Sequence, residues 1–215
     1  MKLVKKVYQG FYGVYAFVRL TINPERLDDV FVLSDQMIDP VYLDSLVEKF
    51  SKLPAGDRIL KERPRLGQID LQALHALPAG TLGHEFASQM IERGLKPEAI
   101  PTKDSEDAAQ FVRAHLYETH DLWHTVTGFG TDVAGELGLQ AFYLAQFQSK
   151  LAAAILAVGL LNTAIFARGE TEKRMESIVR GWQLGRQARP FFGVEWRQRW
   201  AQPLTEIRRE LAVAE

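Results

Sequence analysis

Apolar residues recur at intervals of three and four along almost the whole of this 215-residue chain, which is the pattern of amphipathic α-helices. The first such stripe comprises Val4, Val7, Tyr8, Phe11, Val14 and Phe17. No segment alternates apolar and polar residues for long enough to predict more than a short strand, and no internal repeat divides the sequence. We therefore predict an all-α fold, a single helical domain over residues 1–215 built as a bundle of long antiparallel helices.

Helix boundaries are indicated by capping residues, prolines and glycines. From these signals, helices are predicted to begin at Asn23-Pro24, at Asp39-Pro40, at Thr81 and at Ser105. A capping residue followed by proline suits a helix start because proline has a helical φ and its missing N–H costs nothing there. The last two helices are predicted to end before Gly94 and Gly128. Residues 53–66 lack these signals and are predicted to form a loop.

The charge balance and the absence of cysteine limit the possible functions. The chain carries 26 Lys and Arg residues against 27 Asp and Glu residues, so it has no global charge that attracts nucleic acid. Because it has no cysteine, a disulfide scaffold and thiolate chemistry are excluded. Any metal ligands must therefore be His, Asp or Glu side chains.

One short segment combines these ligand types at helical spacing. It reads His120-Asp121-Leu122-Trp123-His124, with Glu136 further along. Two histidines four positions apart leave a helix from the same face, where both imidazoles can bind one ion. Asp121 is rotated by about 100° from His120, so it reaches the same ion only from the side. We predict a metal site here, and whether Asp121 is a ligand or orients a histidine stays open.

A predicted turn brings Glu136 back to the histidines. The glycines of Gly128-Phe129-Gly130 break the helical pattern, and Thr131 or Asp132 can cap the apolar run that follows. The segment is therefore predicted to be a helical hairpin, with Glu136 near the first turn of its second helix. Two imidazoles and a carboxylate suit zinc or iron.

Other interpretations of the segment stay open. His-x-x-x-His pairs also occur by chance on surface helices, although apolar neighbours such as Trp123 and Val126 favour an inward face. A hydrolase with Asp121 as general base is one alternative, but aspartate is a methylene shorter than the glutamate of such enzymes. The stronger alternative is a non-catalytic, lipid-binding scaffold in which the metal ties the hairpin together.

The run between Lys150 and Arg168 is uncharged and apolar. A bilayer span needs about 20 apolar residues, so this shorter run, which contains Asn162 and Thr163, is predicted to be a buried core helix. Its alanines and Gly159 permit close helix packing or leave a groove for a lipid tail.

The last quarter of the chain combines arginine with tryptophan. The residues are Arg180, Arg186, Arg189, Arg197, Arg199, Trp182, Trp196 and Trp200. We predict an amphipathic helix pair with a solvated basic face, with contact to an anionic headgroup or membrane as the alternative. His75, His84 and His115 are predicted to be ordinary core or surface histidines, although His84, beside Glu85, can orient a ligand.

Several segments resemble the Coq-four family of ubiquinone biosynthesis proteins. The string from His120 to His124 with Glu136 is similar to the family's His-Asp-x-x-His-x11-Glu signature. Residues 77–83, Leu-Pro-Ala-Gly-Thr-Leu-Gly, resemble a second family segment. The carboxyl end also resembles that of the family, at Val194-Glu195-Trp196, Trp200, Pro203-Leu204 and Arg208-Arg209-Glu210-Leu211. One departure is Gly130, where proline is expected in the family's turn.

The resemblance implies an all-helical protein that binds a divalent metal at His120, Asp121, His124 and Glu136. Zinc is expected, with iron or magnesium as alternatives. The implied reaction is oxidative decarboxylation at ring carbon one of a polyprenyl-hydroxybenzoate, such as a 4-hydroxy-3-methoxy-5-polyprenylbenzoate. An older interpretation makes the family an organiser of quinone-synthesising enzymes.

The resemblance also implies partners and a location. The partners expected are a polyprenylated quinone precursor or isoprenoid lipid, a membrane surface, other quinone biosynthesis proteins and a second copy of the chain, but not nucleic acid. The segment Met1–Lys6 is basic, yet Tyr8 and Arg19 interrupt the apolar stretch after it and no cleavage site follows. We therefore predict an amphipathic first helix without a signal or transit peptide, and a cytoplasmic protein peripheral to the inner face of a bacterial membrane.

Overall fold

The computed structural model describes residues 2–97 and 105–213, and in these all side chains except those of residues 2–11 and 27. The described residues are mainly helical. The helices are α1 (Lys2–Ile22), α2 (Leu27–Met37), α3 (Pro40–Ser51), α4 (Pro54–Glu62), α5 (Leu71–His75), α6 (Leu82–Glu92), α7 (Ala108–Glu118), α8 (His120–Thr127), α9 (Val133–Phe147), α10 (Lys150–Phe166), α11 (Thr171–Gln187) and α12 (Leu204–Glu210). The described residues form no strand, only an isolated bridge between Thr81 and Pro203. The all-α prediction is confirmed.

Capping side chains begin two helices at predicted positions, and a third helix begins at a predicted proline. Thr81 accepts a hydrogen bond from the His84 amide at the start of α6, and α3 begins at Pro40. Asp132, rather than Thr131, caps α9, because its carboxylate accepts the Gly135 amide at 2.9 Å. These caps satisfy amides of the first turn that have no partner within the helix.

The predicted loop at residues 53–66 is wrong, because α4 occupies its centre. Pro54 stands at the first helical position and Arg63, with a φ of 48°, ends the helix. The helix is short and anchored mainly by the buried side chains of Ile59 and Leu60. Two apolar residues give too little periodicity to identify a helix from sequence, so packing within the fold stabilises this one.

Two other predicted helix boundaries differ from those in the structure. Helix α2 begins at Leu27 and not at the predicted Asn23-Pro24. The Asn23 side chain accepts a hydrogen bond from the Glu25 amide, which forms a turn before the helix. The single helix predicted over residues 105–127 is two helices, α7 and α8, which meet at Thr119. The ψ of Thr119 is −1°, away from the helical value, and its hydroxyl donates to the His115 carbonyl at 2.7 Å.

Residue contacts divide the chain into two compact units, each made of two segments. Unit 1 comprises Met1–Asp39 and Phe129–Arg186, and unit 2 comprises Pro40–Gly128 and Gln187–Glu215. The single domain over residues 1–215 therefore stays a prediction.

Unit 1 is built on the packing of α1, α2, α9 and α10. Its described core includes Leu20, Leu33 and Val158, with Phe17 packed against them. Of the predicted stripe on α1, the side chains of residues 4, 7, 8 and 11 lie outside those described, and Val14 is 65% exposed. The stripe prediction is thus wrong at Val14, where α1 faces away from its neighbours.

A buried arginine side chain binds the end of α10 within unit 1. Arg174 of α11 is 7% exposed, and its Nη1 donates to Asn162 Oδ1 at 2.8 Å and to Thr163 Oγ1 at 2.9 Å. Asn162 in turn donates to the Thr21 carbonyl at 2.9 Å. A positive charge is favourable here because the last carbonyls of a helix carry partial negative charge. The contacts tie the ends of α1 and α10 to α11.

The apolar run of α10 is buried on one face only. Ala152, Val158, Gly159, Asn162 and Thr163 are buried, whereas Leu160, Leu161, Ile165 and Phe166 are exposed. The prediction of a buried core helix is therefore correct for the face that packs on α1, α2 and α9. None of the described helices has both the length and the apolarity needed to cross a bilayer.

Unit 2 has an aromatic core that joins its two segments. Phe50 and Phe192 stack with ring centroids 3.8 Å apart, and Phe191 contacts both Trp123 and Trp196 edge-on. Trp196 is therefore a core residue, whereas Trp182 on α11 is 43% exposed. The predicted helix pair is wrong for residues 188–203, which form an irregular connection of turns between α11 and α12 with one turn of 3₁₀-helix at Trp196–Gln198.

Candidate metal centre

Helix α8 carries both histidines of the predicted site. Its residues from Leu122 to Thr127 are all buried, and His124 is only 1% exposed. The helix ends at Gly128, whose φ of 75° suits glycine and whose amide donates to the His124 carbonyl at 2.9 Å. The interpretation of the motif as a surface pair of histidines is therefore wrong.

The two imidazoles occupy one face of α8, as their spacing predicts. The ring centroids of His120 and His124 are 5.0 Å apart, and the ring planes are nearly perpendicular at 88°. His120 is half-buried, so this face of the helix carries one buried histidine, His124, and one partly exposed histidine, His120. This arrangement allows two nitrogen atoms to point at one ion.

Helix α9 supplies the carboxylate from its first turn. Gly135, the residue before Glu136, lies so close to the preceding turn that a Cβ there would come within 2.0 Å of the Gly130 carbonyl oxygen. The turn and the first residues of α9 are thus packed backbone to backbone. The Asp132 cap and this contact together fix the direction in which Glu136 leaves the helix.

The structure brings three of the four predicted ligands together. His120, His124 and Glu136 each offer one ligand atom, and these atoms lie within 4.8 Å of one another. Tetrahedral zinc with ligand distances of about 2.1 Å needs separations of about 3.4 Å, so closing the set requires side-chain movements of about 1 Å. Two imidazole nitrogens and a carboxylate oxygen are a donor set that zinc or iron accepts. The residues therefore fit a divalent metal.

Asp121 does not belong to this group. Its side chain lines a hollow of about 800 Å³. The same hollow is lined by Arg65 and Glu118, which form an ion pair with an Nε to Oε1 distance of 2.8 Å. This position agrees with the rotation of about 100° between His120 and Asp121 around the helix. A direct bond from Asp121 to the metal stays a prediction.

Further residues hold α8 in place, and the sequence gives no signal for them. Thr125 Oγ1 donates to Gln89 Oε1 of α6 at 2.8 Å, and Trp123 packs against Phe191. Arg208 of α12 binds main-chain carbonyls at the end of α8. Such contacts join positions far apart in sequence and obey no spacing rule, so only the folded chain identifies them.

The remaining histidines are not ligands of this group. His75 and His84 stack on each other at 4.9 Å, and His84 Nδ1 is 2.8 Å from the His75 carbonyl. His115 is buried on α7, and burial lowers its pKa to about 4, with Glu118 opposing and Arg65 adding to the shift. The prediction that His115 is an ordinary core histidine is confirmed.

Comparison with known proteins assigns the chain to a family. A family model described as coenzyme Q (ubiquinone) biosynthesis protein Coq4 matches residues 4–215. The match spans nearly the whole chain, including α8, α9 and the group of His120, His124 and Glu136. The chain belongs to the Coq4 family. The resemblance noted from the sequence is thereby confirmed.

Curated relatives and a solved structure agree with this assignment. This Coq4-family chain is 34% identical over 199 residues to the rat mitochondrial ubiquinone biosynthesis protein COQ4 homolog, covering 89% of this chain and 73% of the rat protein. It is 32% identical to the zebrafish homolog, covering 97% and 78%. A crystal structure from Nostoc punctiforme, described as a candidate ubiquinone biosynthesis protein, superposes with a TM-score of 0.82 at 28% identity, covering 96% and 99% of the two chains.

Two segments that resembled the Coq4 family in sequence meet in the folded chain. The Leu82 amide donates to the Gln202 carbonyl at 2.9 Å, and the Gly83 amide donates to the Trp200 carbonyl at 2.8 Å. The Leu204 amide donates to the Gly80 carbonyl at 2.8 Å. These main-chain bonds join the start of α6 to the segment before α12. The two family segments therefore form one structural feature of unit 2.

Proposed function

We propose that this Coq4-family chain is a metal-dependent enzyme of ubiquinone biosynthesis that replaces the C1 carboxyl of a polyprenyl-hydroxybenzoate with a hydroxyl. The observation that carries the proposal is the group of His120, His124 and Glu136, whose ligand atoms lie within 4.8 Å of one another. A set of three protein ligands leaves a coordination position for a substrate oxygen, which is the arrangement of catalytic rather than structural metal sites.

The three side chains of the group would contribute different donor atoms and charges to the metal site. His120 and His124 are neutral nitrogen donors, and Glu136 supplies the negative charge that offsets part of the ion's charge. A divalent ion held by these three side chains would supply Lewis acidity toward a carboxylate or phenolate oxygen of the substrate. Asp121, on the adjacent face of α8, would either complete the set or orient His120.

The reaction is a two-electron oxidation. Written with water as the source of oxygen, the aryl carboxylic acid and water give the phenol, carbon dioxide, two protons and two electrons. Zinc cannot accept those electrons. Dioxygen would therefore accept the two electrons and the two protons to give hydrogen peroxide, and the reaction would need either an electron-rich ring or a redox-active metal such as iron. The two imidazole nitrogens favour zinc or iron over magnesium, which prefers oxygen ligands.

A test should separate metal binding from activity. In a strain lacking the decarboxylating step, we expect the wild type to restore ubiquinone and Glu136→Gln to restore about a hundredfold less, because amide oxygen is a weaker ligand. Glu176→Gln is the matched control, since Glu176 is exposed on α11 and should behave as the wild type. Purified wild type should carry about one metal ion per chain, and the variant with His120 and His124 replaced by alanine should carry none.

Two results would overturn the proposal in different ways. Metal-free wild-type protein, purified without chelators, would exclude the metal centre. Full ubiquinone production by Glu136→Gln would instead favour the older interpretation, in which the chain binds polyprenyl lipid and organises other quinone biosynthesis proteins without catalysing the step itself.

We also propose that unit 1 contacts a membrane surface, where polyprenylated precursors reside. The large apolar side chains exposed on unit 1 are Tyr12, Val14, Tyr15, Val18, Ile22, Leu160, Leu161, Ile165, Phe166, Met175, Val179 and Trp182. The corresponding set on the described part of unit 2 is Val41, Ile91 and Leu95. Exposed apolar residues concentrated on a few helices are typical of peripheral membrane contact.

A further inference from the structure

The end of α8 has main-chain carbonyls that the helix itself cannot satisfy. In any α-helix the last four carbonyls lack an amide partner four residues further on. In α8 the His124 carbonyl accepts the Gly128 amide. The carbonyls of Thr125 and Val126 are buried with their residues and need another donor.

Arg208 of α12 provides that donor for both carbonyls. Its Nε donates to the Val126 carbonyl at 2.9 Å, and its Nη2 donates to the Thr125 carbonyl at 3.1 Å. Nε and Nη2 form one edge of the planar guanidinium, so the two bonds fix both distance and orientation. The positive charge also lies at the helix end that favours cations.

Both partners of this contact are themselves anchored. Ile207, beside Arg208, is fully buried, and Leu204 on the same helix is buried as well. On α8, Thr125 is held a second time, through the hydrogen bond of its hydroxyl to Gln89. The residue that follows the buried ligand His124 is therefore fixed by its main chain and by its side chain.

We propose that Arg208 is a positioning residue for the metal centre, which fixes His124 by binding the two carbonyls that follow it on α8. The inference rests on the proposed function, since it assumes that His124 binds a metal. It assigns a role to the carboxyl-terminal segment around Arg208, which is far from His124 in sequence. Arg208 touches neither the metal nor the substrate in this role.

The test compares Co²⁺ binding by the wild type, Arg208→Met, Arg208→Lys and Arg209→Met. Co²⁺ is a useful probe because its visible absorption depends on the geometry of its ligands. Arg209→Met is the matched control, since Arg209 is exposed next to Arg208 and its loss changes the net charge equally. Co²⁺ affinity is measured by competition with a chelator, at a temperature where circular dichroism shows every variant folded.

We expect Arg208→Met to weaken Co²⁺ binding by about 10- to 100-fold, as is typical when a residue that orients a ligand is lost, and to alter the Co²⁺ spectrum. Arg208→Lys, which keeps the charge but not the two-pronged edge, should fall between it and the wild type. Arg209→Met should stay within about twofold of the wild type. A role in overall stability alone would lower the melting temperature but leave the spectrum of the folded protein unchanged.

Each remaining outcome has a distinct meaning. Wild-type protein that binds no Co²⁺ would overturn the metal centre and this inference with it. Wild-type binding with identical affinity and spectrum in Arg208→Met would overturn the positioning role alone. If Arg208→Met does not fold, the comparison of Arg208→Lys with Arg209→Met decides, and equality of the two would overturn the positioning role.

Discussion

His115 shows how environment sets the chemistry of a single residue. Its imidazole lies beside the rings of Phe111 and Phe192, with centroid distances of 5.4 Å and 5.2 Å. Burial among these rings lowers its pKa to about 4, because a charged imidazole loses its hydration there. The Coq4-family chain therefore keeps His115 neutral at physiological pH.

This low pKa predicts acid sensitivity. Below about pH 6.5 the unfolded chain protonates His115 while the folded chain does not, so the free energy of unfolding should fall as the pH drops toward 4. The loss from this residue is about 3 kcal/mol. Urea titrations of metal-free protein at several pH values should show it, and His115→Leu should have a shallower pH dependence by that amount. His75→Leu, a change at an exposed histidine, should keep the wild-type slope, and an equally shallow slope there would contradict the assignment.

At the scale of residues, the spacing of the motif predicts most of the candidate site. Positions four apart on a helix share a face, so His120 and His124 were predictable, and a turn with two glycines predicted the return of Glu136. The contact of Arg208 with α8 was not predictable, because Arg208 is separated in sequence by 82 positions from Val126 and by 83 positions from Thr125. The role of Asp121 could not be predicted from its angle around the helix, since that angle is compatible both with a metal ligand and with a residue that orients a ligand.

At the scale of elements, the turn between α8 and α9 depends on a glycine with no room for a side chain. A Cβ at residue 135 would lie 2.0 Å from the Gly130 carbonyl oxygen and 2.5 Å from its carbon. We expect Gly135→Ala to lower the free energy of unfolding by about 2–4 kcal/mol. Because the turn must open, Glu136 should shift and metal affinity should fall about tenfold or more.

Gly169 gives a control of the same substitution, since a Cβ there would meet nothing within 4 Å. Gly169→Ala should change the free energy of unfolding by less than about 0.5 kcal/mol. Metal affinity and urea denaturation should be measured on both variants. Equal behaviour of the two would mean that the turn accommodates a side chain and does not determine the position of Glu136.

Elements with strong local signals were predictable, and those held by tertiary contacts were not. The Thr81 and Asp132 caps and the proline at residue 40 mark helix starts through local chemistry. Helix α4 has few apolar residues and depends on the burial of Ile59 and Leu60. The division between α7 and α8 at Thr119 also escapes prediction, because a threonine within a helical pattern does not by itself break a helix.

At the scale of the whole molecule, the exposed apolar residues predict binding to lipid vesicles. Met175, Val179 and Trp182 lie at helical spacing on α11 and are all exposed. We expect the wild type to sediment with phospholipid vesicles and Val179→Asp to bind about tenfold more weakly, because a carboxylate is costly in the interface. The emission of Trp182 should shift to shorter wavelength on binding.

The control for this experiment is Val41→Asp, which places the same charge on an exposed residue of unit 2. Its vesicle binding should stay within about twofold of the wild type. Equal loss in both variants would indicate a nonspecific effect of charge, and a wild type that does not sediment would exclude the membrane contact.

The division of each unit into two separate segments has a consequence for synthesis. The Thr21 carbonyl of α1 receives its hydrogen bond from Asn162, 141 positions later in the chain. At about 5–20 residues per second, a ribosome needs on the order of ten seconds to make that partner, whereas an isolated helix forms in about a microsecond. During that delay the nascent α1 can pack on α2 of its own segment, but Phe17 and Leu20 lack the α10 part of their core, which includes Val158. Chaperone protection of this amino-terminal helix should therefore raise the yield of folded protein.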